Sequence, residues 1–237
     1  MSTNSVDRGG VRIVYDVHDG PPEATPLLLS HGYGATRRMW DGNVGALAAT
    51  RTVITWDMRG HGDSDSPDAQ TAYTHAAGVD DMVAILDDCN IERAAIAGLS
   101  LGGYMSLELY RAHPERVISL LLFDTGPGFK NDDARAKWNA NAERVAANHT
   151  DPGLARAARG MLAQHDASVI RSLPDVKVPT LILVGADDTG FLGAADYMTR
   201  VIPQASKVVI PAAGHEANID QPQAFNDAVL AFLRSLP

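Results

Sequence analysis

Strand-like and helix-like stretches alternate along almost the whole of this 237-residue chain. Strands joined through helices run parallel and need helices on both faces, so the expected architecture is a mostly parallel sheet between two helical layers. Residues 11–18, VRIVYDVH, place Val11, Ile13, Tyr15 and Val17 on one face by period two, and Gly9-Gly10 turns from a short earlier strand. This is an edge hairpin. Buried strands follow in Pro26–Ser30, Val53–Trp56, Ala94–Gly98, Val117–Phe123, Pro179–Val184 and Ser206–Ile210. Between them lie helical patterns at about 36–49, 71–90 and after residue 100, then up to about 202 and around Phe225, Val229 and Phe232. A chain of this length that is 45% hydrophobic supports one sizeable core, hence one domain.

The rhythm breaks once. Residues 127–172 carry Ala- and Arg-rich helical stretches around Trp138, Leu154, Met161 and Leu162, with Asp151-Pro152-Gly153 as punctuation and no strand. The expected layout is a core of 1–126 and 173–237, with 127–172 inserted as a short helical lid. Its shortness suggests a fairly open pocket for substrates of modest size. Trp138 and Met161 are candidate pocket residues, the alternative being that they pin the lid helices to the body.

The stretch AAIAGLSLGGYMSLELYRA, residues 94–112, reads as strand, tight turn and helix with Ser100 at the apex. Gly98 and Gly102 remove side chains that would clash as the strand folds back onto the helix. Unpartnered amides in the first helical turn favour negative charge developing beside Ser100. In open parallel sheets, ligands bind beyond the strands' carboxyl ends. Loops HGYG, GLSLG, GADD and GH all lie at that edge, bringing a serine, a pair of aspartates and a histidine there in chain order. Pattern alone leaves Asp187 and Asp188 near even. Of the eight histidines, His215 alone follows a glycine at the end of the last strand, although a loop histidine capping its neighbours is the plain alternative.

Other chemistries are disfavoured. Twenty basic against 29 acidic residues give a net charge of −9, which repels phosphate backbones and anionic lipid, so neither nucleic acid nor membrane is an expected partner. Cys89 is the sole cysteine and suggests neither a disulfide nor a zinc site. His215-Glu216-Ala217-Asn218-Ile219 has isoleucine where a zinc-protease helix needs its second histidine, and no nucleotide-binding glycine loop is complete. No metal or cofactor is expected. The opening MSTNSVDRGG has no secretion signal and no apolar run is long enough for a bilayer, so the expected location is cytoplasmic.

Segments PLLLSHGYG, WDMRGHGDSD, AGLSLGG, VPTLILVGADD and PAAGHEANIDQP resemble those of α/β-hydrolase fold proteins, in that family's order and from about residue 9 to the end except at 127–172. Through GLSLGG the chain is most similar to the esterase and lactonase branch. The resemblance implies an eight-stranded, mostly parallel sheet with the lid after the sixth strand. It also implies Ser100 as nucleophile, His215 as general base and then acid, and Asp188, three after Gly185, as the orienting carboxylate. The amides of Tyr33 and Leu101 would form the oxyanion hole. Asp124 is a minor rival for the acid, otherwise a strand-end residue bonded to backbone amides; His31, Arg59 and His61 are expected to brace loops. The expected activity is cofactor-independent hydrolysis of small carboxylic esters or lactones. Carbon-carbon bond hydrolysis or perhydrolysis would use the same triad, and a ligand-binding module with vestigial turnover is the reading from another class.

Overall fold

The computed structural model describes residues 1–236. Eight strands form one sheet: β1 (Ser2–Asp7), β2 (Arg12–His18), β3 (Leu27–Ser30), β4 (Val53–Trp56), β5 (Ala94–Leu99), β6 (Val117–Phe123), β7 (Thr180–Gly185) and β8 (Ala205–Ile210). Their order across the sheet is β1-β2-β4-β3-β5-β6-β7-β8. β1 and β2 pair antiparallel, β2 joins β4 antiparallel, and every later pairing is parallel. The expected α/β-hydrolase sheet is therefore the observed one. β3, β4, β5 and β7 are buried at every residue, as an apolar run covered on both faces must be.

Period-two alternation splits these strands between two cores. Leu28, Ile54, Ile96, Leu120 and Ile182 face one side, where α2 (His75–Asp88) and α3 (Leu101–Ala112) supply Met82, Ile85, Met105 and Leu109. Leu27, Leu29, Ala97, Leu121 and Leu183 face the other, against Trp40 and Leu47, the latter on α1 (Asp41–Ala48). There Phe123 and Phe225 meet edge to face at 4.8 Å. The helix expected at about 36–49 begins as a 3-10 turn, Arg37–Trp40, because Thr36 caps Arg38 N before α1 starts.

Between β6 and β7 the chain is helical: α4 (Asp132–Asn148), α5 (Pro152–Ala157), a π-helical turn (Ala158–Leu162) and α6 (Ser168–Ser172). Asn131 Oδ1 accepts from Ala134 N at 2.9 Å and Asp151 Oδ1 from Gly153 N at 2.7 Å, so both longer helices start on side-chain caps. The segment is fastened to the body. Tyr33 Oη donates to Leu154 O at 2.9 Å, and His75 Nε2 lies 2.8 Å from Met161 O. After β7 come α7 (Thr189–Val201), α8 (Ala217–Asp220) and α9 (Pro222–Arg234). No helix among the described residues is long and apolar enough to cross a membrane.

Candidate active site

Ser100 sits at φ 55°, ψ −115°, between the end of β5 and the first residue of α3. Such a backbone is costly for any residue with a side chain and persists only where its surroundings hold it. Here they do. Ser100 N donates to Phe123 O at 2.9 Å, and Ser100 O accepts from Thr125 Oγ1 at 2.6 Å. A Cβ on Gly98 would lie 2.2 Å from Gly102 C, and one on Gly102 would lie 2.3 Å from Ser30 O, so the turn admits nothing larger at either position.

Two neighbouring loops meet this turn. Gly32 lies against Ser100, since a Cβ added there would come 3.5 Å from the serine Cβ. Its loop is held by His31, whose Nδ1 is 2.7 Å from Gly32 O while Nε2 accepts from Met58 N at 3.0 Å. Burial lowers the His31 pKa to about 4, so the ring is neutral and can accept that bond. Burial, aided by the nearby His31, lowers His61 to about 3. Arg59 pairs in two hydrogen bonds with Asp81, at 2.8 and 2.6 Å, tying the loop after β4 to α2. These three side chains brace the loops behind the site.

Beyond β7, Asp188 is 9% exposed and its Oδ2 is 2.8 Å from His215 Nδ1. Asp187, by contrast, is exposed, with its N–H donating to Ala213 O at 2.9 Å. The loop geometry thus turns the second aspartate of the pair toward the histidine. Ser100 Oγ and His215 are not joined by a hydrogen bond among the described residues. The Phe191 ring stacks on His215 at 5.0 Å and 27°, and Phe191 lines the same cavity as Ser100.

Asp124, at φ 43° after β6, accepts from Gly185 N at 2.7 Å through Oδ1, as expected of a strand-end residue. Burial pushes its carboxyl up to about 7 against that hydrogen bond, and the adjacent Asp188 charge adds to the rise.

The cavity beside Ser100 has a volume of about 240 Å³. Leu101 and Thr125 border it from the core, Trp138, Met161 and Leu162 from the segment between β6 and β7, and Phe191 from α7. Trp138 and Met161 therefore line it and also fasten that segment, through Trp138 Nε1 donating to Leu162 O at 2.8 Å and Met161 O facing His75. Phe191, Phe129 and Gln164 are lining residues that sequence reasoning missed. Phe191 follows Asp188 by three positions at the start of α7, a spacing that could have suggested it; nothing along the chain marks Gln164.

The sequence profile described as alpha/beta hydrolase fold matches residues 25–156. Among curated proteins, 3-oxoadipate enol-lactonase 1 of Acinetobacter baylyi is 29% identical, over 92% of this chain and 92% of the relative. A solved thermophilic esterase from Thermogutta terrifontis, with malate bound, superposes with a TM-score of 0.86 at 27% identity, covering 100% of this chain and 99% of that one. The enol-lactonase from Burkholderia xenovorans superposes with a TM-score of 0.83 at 25% identity, covering 98% and 100%. With more than half its residues inside the profile and its strand order and serine turn in the matching places, the chain belongs to the alpha/beta hydrolase fold family.

Proposed function

We propose that this protein is a cofactor-independent serine hydrolase of small carboxylic esters or lactones, acting through an acyl-enzyme on Ser100. The observation that carries the reading is the 2.8 Å hydrogen bond between His215 and Asp188, beside a serine held in a strained turn. A serine hydroxyl is scarcely ionised at neutral pH and needs a base. In this reading His215 takes the Ser100 proton as the oxygen attacks the acyl carbon, and Asp188 holds the imidazole and stabilises its charged form. Negative charge on the carbonyl oxygen falls to the amides of Leu101, at the start of α3, and Tyr33, next to Gly32; one such donor is worth about 10² to 10³ in rate. His215 then protonates the leaving alcohol, and water activated by the same ring releases the acid. The helices of 127–172 act as a fixed lid over the acyl chain. The enol-lactonase and esterase relatives support the ester and lactone class.

Hydrolysis of p-nitrophenyl butyrate tests the reading. Ser100→Ala and His215→Ala should each lower kcat by at least about 10³-fold. Asp188→Asn should fall well below Asp187→Asn, which should stay near wild type. Equal rates in the two asparagine variants would move the acid elsewhere.

A further inference from the structure

Gln164 brings a polar side chain to an otherwise largely apolar wall, and the proposed reaction gives it no task. Trp138, on the same wall, spends its indole N–H on Leu162 O at 2.8 Å. Gln164 is 7% exposed and its Oε1 has no hydrogen-bond partner. Its backbone is held from both sides by one asparagine: Gln164 N donates to Asn139 Oδ1 at 2.8 Å, and Asn139 Nδ2 donates to Gln164 O at 2.7 Å. These bonds fix the Gln164 backbone beside the cavity that the residue lines. Gly128 leaves the space for it, since at φ +84° a Cβ there would come 2.6 Å from Gln164 Oε1. An unpaired buried amide is destabilising, and a group that completes its hydrogen bonding recovers that loss.

Charge narrows the partner. None of the described residues lining the cavity is charged. A carboxylate entering it would lose its hydration without gaining a counter-ion, whereas a neutral O–H or N–H group would gain the Gln164 acceptor. Position narrows it further. The His215 side chain is 41% exposed and is not among the cavity's lining residues. An alcohol leaving with the His215 proton departs on that side, so the acyl chain is the part that points into the cavity.

We infer that Gln164 determines specificity: its Oε1 accepts a hydrogen bond from a neutral hydroxyl or amide group on a short acyl chain, and the cavity rejects acyl chains ending in a carboxylate. The inference rests on the acyl-enzyme reading above. An amide's terminal torsion is broad, so Gln164 can turn its Oε1 to such a group.

Three p-nitrophenyl esters test it: the valerate, the succinamate, which adds a primary amide, and the succinate half-ester, which is close in shape to the succinamate but anionic. Wild type should show kcat/KM for the succinamate about tenfold above the valerate and at least about tenfold above the half-ester. Gln164→Met should lower the succinamate value about tenfold and leave the valerate within about twofold. A wild-type valerate rate equal to or above the succinamate rate overturns the inference, as does an equal loss on both esters in Gln164→Met. Ser100-dependent turnover with no preference refutes the role of Gln164 alone. Absence of Ser100-dependent turnover on all three esters refutes the acyl-enzyme reading and this inference with it.

Discussion

Asp124 and Asp188 end or follow adjacent strands, yet their surroundings set them apart. Asp188 has a histidine to satisfy it; Asp124 has the Gly185 amide on one oxygen and no partner on Oδ2. Burial raises the Asp124 pKa from 3.8 to about 7. The folded chain therefore keeps a proton that the unfolded chain releases near pH 4. Between about pH 4 and pH 7 the native state binds more protons, so this group's contribution to stability falls as pH rises and is constant above that window. Asp124→Asn, which cannot ionise, should gain on wild type across the window by up to a few kcal/mol, read as a growing difference in Tm. A pH-independent difference would show that Asp124 is ionised throughout. At this scale the sequence was legible wherever a residue's neighbours along the chain determine its geometry: Gly98 and Gly102 announce the serine turn. It was silent where distant segments decide, as with Asp187 and Asp188, which the loop after β7 separates by pointing one to solvent and one to His215.

Among the elements, the loop after β3 and the helices between β6 and β7 form one mechanical unit through Tyr33. Its hydroxyl donates to Leu154 O and its ring packs edge to face with His61 and His149 at 5.7 and 6.3 Å, while its backbone amide is the proposed oxyanion donor. Tyr33→Phe removes one hydrogen bond, about 1 kcal/mol of stability, and loosens the loop that carries that amide. The expected result on p-nitrophenyl butyrate is a fall in kcat of about three- to tenfold with little change in KM, because the oxyanion exists only in the transition state. A change confined to KM would place the tyrosine in substrate binding instead. The strands and the helical insertion were readable from periodicity and from the absence of a strand between 127 and 172. How the insertion docks was not, because it depends on single contacts such as Gly160 against Tyr73 O, where an added Cβ would come within 1.8 Å.

At the scale of the molecule, the parallel sheet does the positioning. β3, β5, β6, β7 and β8 deliver His31-Gly32-Tyr33, Ser100, Asp124, Asp188 and His215 to one edge, although these residues are spread from position 31 to position 215. The alternation of strands and helices, with the order serine, aspartate, histidine, made that edge legible before any coordinates. The cavity's chemistry was not, since its apolar wall and its single amide come from residues that converge only after the insertion folds back. The account stands on Ser100 being an activated nucleophile served by His215. Reaction with a fluorophosphonate probe, followed by peptide mass spectrometry and timed for wild type and His215→Gln, tests that claim most directly. The adduct should lie on Ser100 and form at least about 10²-fold more slowly in the variant; an adduct on another residue, or equal rates in the two proteins, would contradict it.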